Sequence, residues 1–346
     1  MSQHADTAPF DLISLGRVGV DLYPDATGVP LRLIDTFHKF LGGSPTNVAV
    51  AAARYGRRVA VITRTGADPM GEFVHDALRS FGVDDRFVTP VPGLPTPIVF
   101  CELFPPDDFP LYFYRYPVAP DTVVRPDELD LDAIAGAKVF WMTGTGLASH
   151  PIREATFAAL RHRHQHADTD AITIFDLDWR PELWPDVSEA TDTYSEALDL
   201  VTVAVGNRAE VKAAVGEDDP DAAAAALLAR GLRLAVVKQG PLGTLATDAT
   251  ERVVVPPVPI DVVNGLGAGD AFGGALVHGL LAGWPLEEVI TLANAAGAYV
   301  AGQLACSSAM PDAAQVASLL AGAGMHVPEG LAAEATAPPR VGGRRG

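Results

Sequence analysis

The stretch Asn264-Gly265-Leu266-Gly267-Ala268-Gly269-Asp270-Ala271-Phe272 sets three glycines at alternate positions immediately ahead of an acid. Without β-carbons the backbone can approach a ligand closely. The small apolar run 271–281 contains no proline and predicts a helix. A glycine-rich turn feeding a helix aims several N–H groups and the positive end of the helix dipole at one spot, which suits an anion. Asp270 would sit beside that anion, an unfavourable place for a carboxylate unless it has chemical work to do. The work that fits is removal of a proton from a hydroxyl nucleophile while the Gly267, Ala268 and Gly269 amides stabilise charge on a transferring phosphoryl group. Two familiar phosphate motifs are excluded. In neither frame is the sixth position of Gly-x-Gly-x-x-Gly a glycine (it is Asp270 or Phe272), and no Gly-x-x-x-x-Gly-Lys-Ser/Thr occurs.

Moving outward, short apolar runs at 139–143, 172–177, 200–205 and 234–238 predict strands, alternating with helices over 151–165, 188–197, 207–215 and 219–230. Upstream, strands are expected at 11–20, 31–40 and 59–65, and helices at 47–55 and 68–81. An extended pair is expected at 97–104 and 111–116. Downstream, a strand at 253–258 precedes the glycine-rich turn and closing helices at 271–282 and 286–302. This alternation implies a mostly parallel sheet with helices on both faces. Residues 1–9 read as a disordered leader, 10–322 as one domain and 323–346 as a disordered tail.

The chain of 346 residues has 43 acids against 25 bases, a formal charge of −18, which argues against nucleic acid or an anionic membrane as a partner. An anionic substrate must then be met by a few local cations. Two distant cysteines imply no disulfide framework. No apolar run reaches spanning length and no signal-peptide core is seen, so a cytoplasmic protein is expected.

Ligands of open α/β sheets collect at the carboxyl ends of the strands. Asp21, Asp176, Asp178, Asn207 and Gly240 fall at such ends. Each alone is equally at home as a turn residue or helix cap, and Asn207 would serve well as an N-cap.

Taken together with Gly42-Gly43-Ser44-Pro45-Thr46-Asn47-Val48-Ala49, Gly56 and Gly66, the chain resembles the ribokinase-like (PfkB) sugar kinases. Asn264–Leu276 resembles their second signature, about 220 residues after the first. The resemblance implies a three-layer α/β/α fold with a small β-strand lid from residues 17–40 and 97–118, and it implies ATP and Mg²⁺. It further implies Asp270 as catalytic base, with Asp21, Gly42, Gly43 and Asn47 on sugar hydroxyls. Asn207 would lie near the phosphates, with Glu210 organising Mg²⁺ through water. Lys238, Gly240 and Gly243 would form the nucleotide loop, and Asn294 would lie near adenine. Asp261 and Val263 match a monovalent-cation (K⁺) site. One departure is Gly265, where relatives carry Thr, Ser, Pro or Val.

Gly16–Pro24 and Tyr114–Pro117 resemble a narrower group of the family acting on sugar acids. Arg115 and Arg180 would then hold the substrate carboxylate, with Lys39 a lesser candidate. A neutral-sugar or nucleoside kinase, and a binding protein that keeps the pocket without catalysis, remain alternatives. The aromatic lid also raises pairing of two copies through that surface.

Overall fold

The computed structural model describes residues 9–336. The strands are β1 (Leu12–Leu15), β2 (Gly19–Pro24), β3 (Phe37–Gly42), β4 (Val59–Gly66), β5 (Val83–Asp84), β6 (Val88–Val91) and β7 (Ile98–Cys101). They continue as β8 (Leu111–Tyr114), β9 (Val139–Thr143), β10 (Ile172–Asp176), β11 (Val203–Asn207), β12 (Leu234–Lys238), β13 (Thr244–Asp248) and β14 (Arg252–Val255). The helices are α1 (Ser44–Arg54), α2 (Pro69–Ser80), α3 (Leu131–Gly136), α4 (Ile152–His166), α5 (Val187–Leu198) and α6 (Arg208–Val215). After them come α7 (Pro220–Ala229), α8 (Ala268–Ala282), α9 (Leu286–Ala301), α10 (Ala313–Gly322) and α11 (Glu329–Thr336).

The main sheet runs β14-β13-β12-β11-β10-β9-β1-β4-β5, with β6 also on β4. The β12-to-β4 core is parallel, and β13 and β14 extend it antiparallel. Residues of alternate parity face opposite layers, as the two-residue period of a strand requires. Trp141 and Val236 join the core under α1, α8 and α9, whereas Phe140 and Val237 join the core under α4, α5 and α7. Burial on both faces explains why these strands read as uninterrupted apolar runs. The three-layer architecture expected from the sequence is the one observed.

Chain order along the sheet reverses at β1, whose neighbours are β4 on one side and β9 on the other. Residues following β1, β9, β10, β11 and β12 therefore converge above one end of the sheet, at the switch point where such folds bind ligands. A second, four-stranded sheet in the order β3-β2-β7-β8 covers that end.

The expected strand at 11–20 is in fact two strands in different sheets, because Gly16 and its neighbours carry the chain from one sheet to the other. Gly16 has φ +150, and a β-carbon there would lie 2.8 Å from Pro45. The expected strand at 31–40 is a 3₁₀ turn at Leu31–Leu33 followed by β3. In β8, alternation turns Leu111 and Phe113 inward while Tyr112 and Tyr114 stay 42% and 60% exposed. The aromatic cluster is thus one inward ring and an exposed outer face.

The tail expected to be structureless from residue 323 instead contains α11. Leu331 is fully buried, and Gly330 lies so close to Trp284 that a β-carbon would fall 2.3 Å from the indole. Glu334 pairs with buried His278 at 2.8 Å. Residues 1–8 of the expected leader and 337–346 of the tail lie outside the described residues. Among the described residues no helix is long and apolar enough to cross a membrane. If α11 is docked by burial, Leu331→Ala will destabilise the fold by about 3 kcal/mol in urea titration.

Candidate active site

Helix α8 begins at Ala268, three residues earlier than expected, with Gly267 as N-cap in the left-handed region at φ 80. A side chain there would also strike Cys306, whose Sγ lies 2.7 Å from the position of a β-carbon. The first N–H groups of the helix have no intrahelical partners. They open into a cavity of about 590 Å³ lined by Gly267, Ala268, Gly269 and Asp270. Ahead of the helix, buried Asn264 accepts from Leu266 N at 3.0 Å and donates to the Leu304 carbonyl at 2.7 Å. Asn264 thus positions the loop without help from residue 265. At Gly265 a β-carbon would lie 2.9 Å from the ring of Phe109 in the lid, so the missing side chain makes room for the lid.

Asp270 faces α1. Its Oδ2 accepts from Asn47 Nδ2 at 2.8 Å, and Ser44 donates to the same carboxyl. Burial raises the Asp270 pKa above its ordinary value; the Asn47 and Ser44 hydrogen bonds oppose this and Asp178 adds to it. Asp21, on β2 of the lid, lines the same cavity, and burial pushes it up to about 7 against the pull of Arg17 and the Tyr23 hydroxyl.

The glycines preceding α1 divide their duties. Gly43 lines the cavity at φ +102, and a β-carbon would collide with the Arg17 carbonyl at 2.4 Å. Gly42 does not line it. A β-carbon at Gly42 would overlap the Asp21 carboxyl at 2.1 Å, so this glycine makes space for Asp21.

Asn207 is the N-cap of α6 and also lines the cavity. Its Oδ1 accepts from Glu210 N at 3.0 Å while Glu210 Oε2 accepts from Asn207 N at 2.6 Å. The reciprocal cap holds the Glu210 carboxylate at the cavity wall. Lys238, at the end of β12, sits among acids. Burial lowers its pKa, but Glu210, Asp176, Asp270 and Asp178 more than offset it, so the ammonium form is reinforced. Asp176 is pushed well above its ordinary value, chiefly by burial.

A second, more apolar cavity of about 520 Å³ shares Lys238, Gly240, Ala268 and Gly269 with the first. Gly243 and Asn294 line it. Asn294 is fully engaged, accepting from Thr244 at 2.7 Å and donating to the Val255 and Pro256 carbonyls at 3.1 Å each. Asp261 and Val263 line neither cavity; Val263 N donates to Ala301 O at 2.8 Å. Lys39 also lies away, over the Phe73 ring.

Arg115 and Arg180 both reach the first cavity, each held by an acid: Arg115 by Asp121 at 2.7 Å and Arg180 by Asp178 at 3.0 Å. The sequence reading missed a third arginine there, Arg17, which pairs with the other oxygen of Asp178 at 3.1 Å. Its position just past β1, the strand at which sheet order reverses, is the signal that could have found it.

A helix start with free N–H groups, an acid of raised pKa beside it and two cavities that share a wall suit transfer of a phosphoryl group to a hydroxyl. Comparison with known proteins agrees. The profile described as "pfkB family carbohydrate kinase" matches residues 10–313, and the chain belongs to that family. It is a phosphotransferase with an alcohol group as acceptor. It is 33% identical over 314 residues to the 5-dehydro-2-deoxygluconokinase of Geobacillus thermodenitrificans, covering 89% of this chain and 92% of that one. To the enzyme of the same name from Clostridium tetani it is 31% identical, with the same coverage. Among solved structures it is similar to fructokinase from Vibrio cholerae, a complex with fructose, ADP and calcium, at 26% identity and TM-score 0.77, covering 90% of this chain and 99% of that one.

The Asp21 shift carries a sign that can be tested. Between pH 3.8, its ordinary value, and about 7, the folded chain keeps a proton that the unfolded chain has released, so this carboxyl makes stability fall as pH rises through that window. Asp21→Asn should therefore gain stability relative to wild type as pH is raised from about 5 to about 8 in urea titrations, and a pH-independent difference would contradict the burial of this acid.

Proposed function

We propose that this protein phosphorylates the terminal hydroxyl of 5-dehydro-2-deoxy-D-gluconate at the expense of ATP, a reaction of myo-inositol breakdown. The observation that carries the reading is Asp270 at the amide-rich start of α8, hydrogen-bonded to Asn47, in a cavity walled by arginines. The curated relatives' names support the substrate, and the family supports the nucleotide.

In this reading the substrate lies under the lid with its hydroxyls on Asp21, Asn47 and the backbone at Gly43. Asn47 Oδ1 is buried with no partner among the described residues, an acceptor that a substrate hydroxyl would satisfy. Asp270 takes the proton from the terminal hydroxyl as its oxygen attacks, and a carboxyl with a raised pKa is the better base. The Gly267, Ala268 and Gly269 amides face the charge on the phosphoryl oxygens without reorganising. Lys238 adds a fixed positive charge at the junction of the two cavities.

The donor set fits a water-held Mg²⁺. Among the described residues no cluster of three or more His, Cys, Asp or Glu side chains is arranged as a metal cage, whereas Mg²⁺ on nucleotides typically keeps its waters and takes one or two carboxylates. Glu210 would supply that carboxylate, and the ion would neutralise phosphate charge. The base of the nucleotide would occupy the apolar second cavity beside Gly240, Gly243 and Asn294. A monovalent cation near Asp261 and Val263 belongs to the same reading.

Two expectations follow. Purified protein given ATP, Mg²⁺ and a panel of sugars should phosphorylate 5-dehydro-2-deoxy-D-gluconate in preference to 2-keto-3-deoxy-D-gluconate, fructose and ribose, read by mass spectrometry. A preference for a neutral sugar would overturn the substrate. Asp270→Asn should lower kcat by about 10²–10⁴-fold with ATP affinity nearly unchanged, and retention of most activity would remove Asp270 as the base.

A further inference from the structure

We propose that Arg17, anchored by Asp178, is the specificity-determining residue that meets the substrate carboxylate, working with Arg115 across the end of the cavity away from the nucleotide. The inference rests on the sugar-acid reading above and adds to it a residue and a positioning group.

Three observations converge on Arg17. The first is charge balance. Among the described residues Asp121 pairs with Arg115 only, but the single Asp178 carboxylate serves two guanidinium groups, Arg17 on Oδ2 and Arg180 on Oδ1. Burial by itself would raise Asp178, yet the two arginines more than offset it and hold the carboxyl below its ordinary value. Asp178 alone therefore does not neutralise both guanidinium groups, and Arg17 also acts through space on Asp21 and Asp270 in the same cavity. An arginine that shares its anion with a second one keeps donor capacity for an incoming carboxylate.

The second is an uncommitted donor. Arg17 gives one Nη to Asp178, while its Nε is buried with no hydrogen-bond partner among the described residues. A buried guanidinium N–H without an acceptor is costly, and an arriving carboxylate that draws the side chain toward it would supply one.

The third is placement. A small side cavity of about 90 Å³ adjoins the main one, and only Arg17, Phe113 and Arg115 line both. Those two arginines therefore share one wall, on the β1 and lid side of the site. Glu210 and Lys238 lie at the ends of β11 and β12, three and four strands from β1 in the sheet order. A six-carbon acid with its terminal hydroxyl at Asp270 points its other end toward Arg17. Arg180 follows β10, between these groups, and Glu210 and Asp270 are among the acids that reinforce its charge. Asp178 is a positioning residue: its backbone has φ 27, the only non-glycine residue with positive φ among those described, and Thr145 donates to its Oδ2 at 3.1 Å.

Steady-state kinetics with ATP, Mg²⁺ and 5-dehydro-2-deoxy-D-gluconate tests this. Arg17→Ala should raise the KM for the acid roughly 100-fold, while kcat and the KM for ATP stay within about threefold. Arg17→Lys keeps the charge but loses the fork, and should raise the same KM about 10-fold. A KM for the acid within about threefold of wild type in either variant, or a parallel loss in both substrates' KM values and kcat, would overturn the assignment. Should Arg17→Ala not fold, Arg17→Lys decides alone by the same criterion. A wild-type enzyme that turns over fructose and no sugar acid removes the substrate reading and this assignment together. An acid-selective wild type with unaffected Arg17 variants removes this assignment only.

Discussion

The near-contact of two helix backbones, α1 and α8, is the constraint on which the site depends. A β-carbon at Gly274 would fall 2.3 Å from that of Ala51, and one at Gly273 would strike Trp141 at 2.6 Å and crowd Val48. Only hydrogen at these positions lets the two axes come so close. The closeness is what allows Asn47, on one helix, to hold Asp270 on the other. Both side chains lie in the first turn of their helix, so two helix N-termini and one acid meet above the sheet. Partial burial of the carboxyl between the two helices raises its pKa above the ordinary value.

Charge in the cavity is organised locally, against the sign of the chain as a whole. The arginines there are each paired with a buried acid, Arg115 with Asp121 and both Arg17 and Arg180 with Asp178, while Lys238 lies in the field of several carboxylates. Tethered in this way, long flexible side chains keep one orientation before a ligand arrives, so less entropy is lost on binding.

How much of this could be read from the residues differs by element. The strands β9, β10 and β12 were legible because burial on both faces leaves unbroken apolar runs. β1 and β2 merged into one expected strand because the chain changes sheet within three residues, and only tertiary packing around Gly16 shows the break. α11 was missed because alanines give no periodicity, and its docking rests on Leu331, Gly330 and the Glu334–His278 pair, which only the folded chain brings together. Asp270, the amides beside it and Asn47 were visible as motif positions. Arg17 was not, since its partner Asp178 is 161 residues away and neither forms a motif with the other. Asn207 showed both of its possible uses in sequence, and the structure gives it the cap while leaving it on the cavity wall.

Gly265 links two parts of the molecule that are distant in sequence. Because it has no side chain, the Phe109 ring, two residues before β8, can rest directly on the turn that leads into α8. The cover and the phosphate cradle therefore touch as hard surfaces. A side chain at residue 265 would wedge the lid away from the turn that carries the α8 amides.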